Sequence, residues 1–189
     1  MTDTVIATRA TITIGPLSVD GFMLPDGSYR MSQKNVADAV GKPAMNASRF
    51  LGSKAIKGLL GGDYTDHGLE QIAIGTGEGK RGQSRINALP LEVVTAYWIH
   101  QCSQGNKKAI ALVMALATET LERRFDNVFG IEKSEDDYNA MLFKRVESLE
   151  TDVGEAYVVA DDMARENEEL WFYIRENNLP GPYKLEDGD

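Results

Sequence analysis

Hydrophobic and polar residues alternate near the start of the chain, in the Thr-Ile-Thr-Ile run at residues 11–14. A period of two is typical of a strand with one buried face, and a second run of β character covers residues 17–24. The Pro-Asp-Gly sequence at residues 25–27 is a turn signal. The pattern therefore predicts an opening hairpin whose turn leads directly into a helix.

Three short helices are predicted between residues 30 and 60, where apolar residues recur at helical spacing. Ser32 can cap the first helix and Gly41 can end it. Pro43 suits the first turn of the second helix, which stops at Gly52 and is followed by the third. The residues expected on the inner faces of these helices are Val36, Ala37, Val40, Met45, Phe50, Leu51, Ile56, Leu59 and Leu60.

Short β-type runs at residues 70–74 and 86–90 flank a glycine-rich basic segment at residues 75–85, and they predict a wing-like hairpin. The phosphate-loop motif of nucleotide-binding proteins requires Ser or Thr directly after Gly-Lys, whereas here Lys80 is followed by Arg81. We therefore expect a mobile basic loop suited to a DNA backbone or minor groove. A hairpin tip with incidental charges is the alternative.

Two longer helices are predicted next, the first from Pro90 to about Gln101 and the second from a cap at Asn106 to Gly130. The second is apolar almost all around its circumference, which a lone surface helix would not tolerate. We therefore expect these helices to form the core, together with Trp98. The apolar residues assigned to the second helix are Ile110, Val113, Met114, Leu116, Ala117, Leu121 and Phe125.

A heptad repeat of apolar residues runs from residue 134 to residue 178 and predicts a coiled-coil helix. With Val146 at position a, Asn167 also falls at an a position, which favours a parallel dimer in fixed register. The alternative is a long helix that folds back on its own domain. The residues assigned to oligomerisation are Leu142, Val146, Leu149, Val153, Met163, Asn167, Leu170 and Ile174.

Charge divides the chain unevenly around a net charge of -9. Residues 1–130 hold 14 Lys and Arg against 12 Asp and Glu, whereas residues 131–189 hold 6 against 17. This change predicts an α+β domain at residues 1–130, a coiled-coil oligomerisation helix at 131–179 and a disordered acidic tail at 180–189.

Basic residues concentrate on the three short helices, where six Lys and Arg stand against one acid, Asp38. A local excess of this kind matters more for nucleic-acid binding than the global sign of the charge. Ordinary solvated charges on a small helical core are the alternative interpretation. The residues expected to contact DNA are Arg30, Lys34, Asn46, Ser48, Arg49, Lys54, Lys57, Lys80, Arg81 and Arg85.

Residues for catalysis or metal binding do not form a recognisable constellation, because the chain has two histidines and one cysteine, Cys102. His100, next to Trp98, suits packing or hydrogen bonding better than ligation. We therefore expect no enzyme activity, no metal and no cofactor. A single cysteine fits a reducing compartment, and the sequence shows neither an export signal nor a membrane span, so we expect a cytoplasmic protein.

Two segments, GSYRMSQKNVADAVGK at 27–42 and ALPLEVVTAYWI at 88–99, together with the long helix that follows, carry a resemblance to known proteins. They resemble phage antirepressors and the KilA-N or Bro-N class of DNA-binding domains. The resemblance implies sequence-selective DNA binding or interference with a repressor, with a separate C-terminal oligomerisation or effector region.

Both lines of reasoning lead to a regulator that binds duplex DNA as a homodimer, because basic helices, a basic wing and a dimerising arm are what a dimer needs to contact two half-sites. The alternative is an adaptor or antirepressor that captures another regulator through the C-terminal helix without touching DNA.

Overall fold

The computed structural model describes residues 6–61, 70–74 and 84–181. The protein belongs to the α+β class, as predicted. In chain order the elements within these ranges are β1 (Ile6–Ile14), β2 (Leu17–Met23), β3 (Tyr29–Ser32), α1 (Gln33–Asp38), α2 (Ala44–Leu51), α3 (Lys54–Leu60), β4 (Glu70–Ile74), β5 (Ser84–Pro90), α4 (Leu91–Ser103), α5 (Lys107–Phe129) and α6 (Glu135–Glu176).

The five strands form a sheet in the order β1-β2-β3-β5-β4, which closes on itself. Neighbouring strands are antiparallel except where β1 meets β4, with Ile6 opposite Ala73 in a parallel pair. The predicted opening hairpin is confirmed, with Thr11 opposite Asp20. β4 and β5 also pair antiparallel, as the wing prediction requires, but the connecting loop at residues 75–83 lies outside the described residues.

The turn between β2 and β3 is held by Asp26, whose Oδ1 accepts hydrogen bonds from the backbone N–H and the hydroxyl of Ser28 at 2.8 and 2.7 Å. Gly27 has a φ of 83°, a left-handed backbone conformation that residues other than glycine rarely adopt. The Pro-Asp-Gly sequence therefore makes the predicted turn, and the chain passes from it through β3 into α1.

The main core lies where β2, β3 and β5 meet the first five helices. It contains most of the predicted inner residues, with Val36 and Val40 almost fully buried. Two predictions were wrong, because Met45 and Leu59 are 60% and 44% exposed. The buried residues of this core are Val19, Met31, Val36, Ala37, Ala39, Val40, Ala47, Phe50, Ile56, Leu89, Val93, Val94, Ala96, Tyr97, Trp98, Ala109 and Leu112.

The ends of α5 are those predicted. The Asn106 side chain caps it by accepting from the backbone N–H of Ala109 at 3.2 Å, and Gly130 closes it in the left-handed conformation. Part of its predicted apolar surface was wrong, because Met114, Leu121 and Phe125 are 48%, 57% and 62% exposed. The reason is that the first half of α5 buries mainly alanines, while in its second half Glu122 and Asp126 form hydrogen bonds with α6.

The first four turns of α6 pack on the same chain. Leu142 and Val146 are buried with Ala115, while Leu149 packs against this cluster. Gly15, in the turn between β1 and β2, allows the close approach, because a Cβ there would lie 3.2 Å from Cγ of Leu142. Leu142, Val146 and Leu149 are therefore core residues, which corrects their assignment to an oligomer interface.

The chain divides into two compact units, Met1–Glu150 and Thr151–Asp189, so the first unit extends beyond the boundary expected at Gly130. In the second unit α6 exposes most of its side chains. Of the residues still assigned to oligomerisation, Val153 and Ile174 are half-buried and Met163, Asn167 and Leu170 are exposed. Among the described residues, no helix combines the length and apolar character needed to cross a membrane.

Candidate nucleic-acid interface

The residues expected to contact DNA do not lie on a single helix face. Helix α2 separates two clefts, and neighbouring residues of α2 line different ones: Ser48 lines the first cleft and Arg49 the second. Lys54 and Lys57 are exposed on α3. The remaining predicted cations are placed as follows: Arg30 is half-buried on β3, Lys34 is exposed on α1, the backbone of Arg85 belongs to β5, and Lys80 and Arg81 lie outside the described residues.

The first cleft, called the sheet–α2 cleft, has a volume of about 670 Å³. The amide of Asn35 organises one wall, because its Oδ1 accepts from the backbone N–H of Asp20 at 3.1 Å and from the Ser32 hydroxyl at 2.7 Å. Arg9 pairs with Asp20 at 2.8 Å. The residues that line the sheet–α2 cleft are Arg9, Asp20, Phe22, Ser32, Gln33, Lys34, Asn35, Ala44, Met45, Ser48, Ile86 and Asn87.

The second cleft, called the α2–α4 cleft, has a volume of about 470 Å³ and lies between α2 and the end of α4. The ring of His100 stacks on Phe50, with centroids 5.1 Å apart and planes inclined by 28°, which is the packing role predicted for this histidine. The lining residues are Lys42, Asn46, Arg49, Phe50, Ser53, His100, Gln101 and Gln104.

Asn46 was predicted to be exposed and available to DNA, but the structure places it differently. It is half-buried, and its Oδ1 accepts hydrogen bonds from the Tyr97 hydroxyl at 2.9 Å and from Nε2 of Gln101 at 3.1 Å. Burial raises the pKa of Tyr97 from 10.0 to about 12, which extends the pH range over which its hydroxyl keeps the proton that it donates. Asn46 therefore joins α2 to α4.

Three cations of the region from α5 to α6 are paired within the chain, whereas five cations on or beside the short helices are not paired with any described residue. Arg123, Lys133 and Arg145 each bind a carboxylate of the same chain. The cations on or beside α1 to α3, of which Lys42 is half-buried and the others exposed, have no such partner among the described residues, so their charge is available to an external anion. This second group consists of Lys34, Lys42, Arg49, Lys54 and Lys57.

A separate charged network holds α6 on α5. The Lys133 ammonium and the Tyr138 hydroxyl both donate to the buried Asp126 carboxylate and hold its pKa below the ordinary value. The guanidinium of Arg123 lies 3.9 Å from the centre of the Tyr138 ring and donates to Glu135, which raises the pKa of Arg123. These charges stabilise the fold and do not form part of the candidate interface.

The His, Cys, Asp and Glu residues in the part of the chain that the structure describes form no group of three or more that could hold a metal ion. Cys102 is half-buried, and burial raises the pKa of its thiol, so the thiolate is disfavoured.

Sequence reasoning missed several residues that the clefts bring together. Arg9 was hidden within a strand pattern, and nothing in the local sequence of Gln101 or Gln104 distinguishes them from ordinary helix residues. Lys42 was counted among the basic residues without being assigned a contact. The α2–α4 cleft brings Lys42, Gln101 and Gln104 together with Arg49.

The comparisons with known proteins add no relative from which a function could be transferred. No family model, curated protein or solved structure matches this chain.

Proposed function

We propose that the protein binds duplex DNA through the basic surface of α1, α2 and α3, and that it acts as a transcriptional regulator or antirepressor. The observation that carries this proposal is the set of five Lys and Arg residues on or beside these helices that have no ion-pair partner among the described residues. Because each phosphate contact releases condensed counterions, such cations contribute directly to nucleic-acid affinity.

The distribution of charge supports the same surface. Asp38 is the single acid among residues 30–60, while the acids of α5 that could oppose the cations are engaged with Arg123, Lys133 and Arg145. The acidic residues that follow position 130 would repel a DNA backbone. DNA is therefore expected on the short helices and away from the second unit of the chain.

Equilibrium binding to random-sequence duplexes over a range of salt concentrations tests the proposal. The triple variant Lys34→Ala, Lys54→Ala and Lys57→Ala should bind more weakly and should flatten the plot of log affinity against log salt by about one unit for each phosphate that is no longer bound. A triple variant of α6 with Lys144→Ala, Arg165→Ala and Arg175→Ala removes the same charge and should retain the wild-type slope. An equal weakening in both variants would contradict a DNA surface on the short helices.

A second candidate function is an interaction with protein through α6, either with another copy or with a different regulator. The observation that favours it is the exposure of large apolar residues beyond Glu150, including Met163 at 58% and Phe172 at 64%. Light scattering on the full chain and on residues 1–150 tests self-association. A full-length dimer that becomes monomeric after truncation would support a helical dimer, whereas a full-length monomer would leave a different protein as the partner.

A further inference from the structure

The α2–α4 cleft has a chemical bias that basic surface residues alone do not explain. Its eight lining residues include no acid, although acids outnumber bases in the chain by 29 to 20. Lys42 and Arg49 supply positive charge, and neither forms an ion pair with a described residue. The cleft is therefore electrostatically suited to an anion.

A relay of amides determines which atoms the floor of this cleft presents. It begins at Asn106, whose Nδ2 donates to the backbone carbonyl of Val40 at 2.9 Å and whose Oδ1 accepts from the backbone N–H of Ala109. A carbonyl can only accept and a backbone N–H can only donate, so the Asn106 amide has one possible orientation. Its Nδ2 also approaches Oε1 of Gln101 at 3.4 Å, which turns the Gln101 amide nitrogen towards Asn46.

Asn46 stands at the end of the relay. Its Oδ1 accepts from both Gln101 and Tyr97, so its Nδ2 lies on the opposite side of the planar amide. That Nδ2 donates to no group in the described part of the chain, and the described residues contain no fully buried side-chain nitrogen or oxygen without a partner. The Asn46 amide nitrogen is therefore accessible, and it is held by the relay as a donor at the cleft.

Two acceptors of the cleft are already engaged. Both amide oxygens of the floor, Oδ1 of Asn46 and Oε1 of Gln101, already receive hydrogen bonds. The ring of His100 is held against Phe50, which places an imidazole in the wall. An oxyanion in this cleft would meet the positive charges of Lys42 and Arg49 and a positioned amide donor.

We propose that the α2–α4 cleft is an oxyanion site that holds one phosphate group. The inference rests on the proposed function in taking that phosphate from the backbone of a bound nucleic acid. Arg49 and Lys42 provide the charge, and Asn46 provides a neutral donor whose direction is set from within the core. A free phosphorylated compound offers the same group, and the experiment distinguishes the two sources.

The experiment follows the side-chain amide of Asn46 and the ring of His100 by NMR in the full chain. Inorganic phosphate is titrated against chloride at matched ionic strength, and a random-sequence duplex is added in a parallel series. Phosphate and duplex should both move these signals saturably. Arg49→Gln should abolish the response to phosphate and weaken duplex binding about tenfold or more, since hydrogen bonds to charged groups contribute roughly 1.5–3 kcal/mol.

Two further variants serve as controls. Lys54→Gln removes the same charge from α3, outside the cleft, and should keep the response to phosphate. Asn46→Asp preserves both accepted hydrogen bonds and hence the fold, but it replaces the donor with an anionic oxygen and should abolish phosphate binding. The retained Tyr97 and Gln101 signals would verify that the core is intact.

Each outcome separates the two proposals. Duplex binding that leaves the Asn46 and His100 signals unmoved and is insensitive to Arg49→Gln would overturn the cleft while retaining the DNA-binding function. Saturable binding of phosphate without duplex binding would support the cleft, assign it to a free phosphorylated compound and contradict the DNA function. The absence of both responses would overturn both proposals.

Discussion

The indole Nε1–H of Trp98 donates a hydrogen bond to the backbone carbonyl of Val36 at 3.0 Å within the core. This hydrogen bond joins α4 to the end of α1, where the helix no longer supplies a backbone donor for that carbonyl. The segment that follows α1 carries Lys42 and leads into α2. A core interaction thus lies close in the chain to part of the candidate interface.

Replacing Trp98 with Phe tests this interaction. The change leaves a buried carbonyl without its donor, so the free energy of unfolding should fall by about 1–3 kcal/mol or more once the poorer packing is included. Urea unfolding followed by far-UV circular dichroism measures the decrease. Trp171→Phe is the matched control, because Trp171 is 39% exposed and its replacement should change stability little. Equal decreases in the two variants would contradict the structural role of Trp98.

The start of α6 should be required by the first compact unit. Leu142→Ala should lower the free energy of unfolding by about 2–5 kcal/mol, because it leaves a cavity beside Ala115. Leu170→Ala, at an exposed position of α6, is the control and should have little effect in the monomeric state. Thermal unfolding of two truncated chains extends the test: residues 1–150 should unfold cooperatively, and residues 1–130 should be markedly less stable. Equal stability of the two fragments would show that α6 is dispensable.

Acid should weaken the network that joins α5 to α6. Because the pKa of Asp126 is lowered in the folded protein, its stabilising contribution is present above the unfolded pKa and is lost as pH falls through the folded pKa. The wild-type protein should therefore be more stable than Asp126→Asn at neutral pH, and this difference in the free energy of unfolding should shrink as the pH falls below about 5. Urea unfolding at several pH values measures this difference in the free energy of unfolding. Asp161→Asn, on the exposed face of α6, is the control. A stability difference between wild type and Asp126→Asn that does not change with pH would contradict the proposed ionic role of Asp126.

Alkaline pH should act through Tyr97. Its pKa rises from 10.0 to about 12 on folding, so the unfolded chain releases this proton first and stability falls as pH increases through that window. The stability difference between wild type and Tyr97→Phe should therefore narrow above pH 10.0. Tyr173→Phe, at a position 59% exposed, should show no comparable narrowing. Chemical denaturation at several alkaline pH values makes the comparison.

Local sequence was a good guide to where elements begin and end. Asn106 and Gly130 bound α5 as predicted, since a capping side chain and a left-handed glycine act within one turn of the backbone. Ser32 likewise caps α1 by accepting from the N–H of Asn35. Pro43 was misplaced by one position, because it precedes α2 as the N-cap residue instead of entering its first turn.

Periodicity was a weaker guide to what covers a helix. The heptad repeat through Leu142 and Val146 describes an apolar stripe, but a stripe can be covered by a partner helix or by the same chain. Here the same chain covers the beginning of the stripe. For α5 the apolar residues were more numerous than the neighbouring elements could bury, so Leu121 and Phe125 are exposed.

The amino-acid sequence by itself determined the α+β class, the order of the elements, their caps and the concentration of positive charge before residue 60, because these depend on residues close together in the chain. Only the tertiary structure decided that Ser48 and Arg49 line different clefts, that Asn46 serves both the core and a cleft, and that α6 begins inside the first unit. These features depend on hydrogen bonds such as those of Asn46 with Tyr97 and Gln101, which join distant parts of the chain and leave no periodic signal in it.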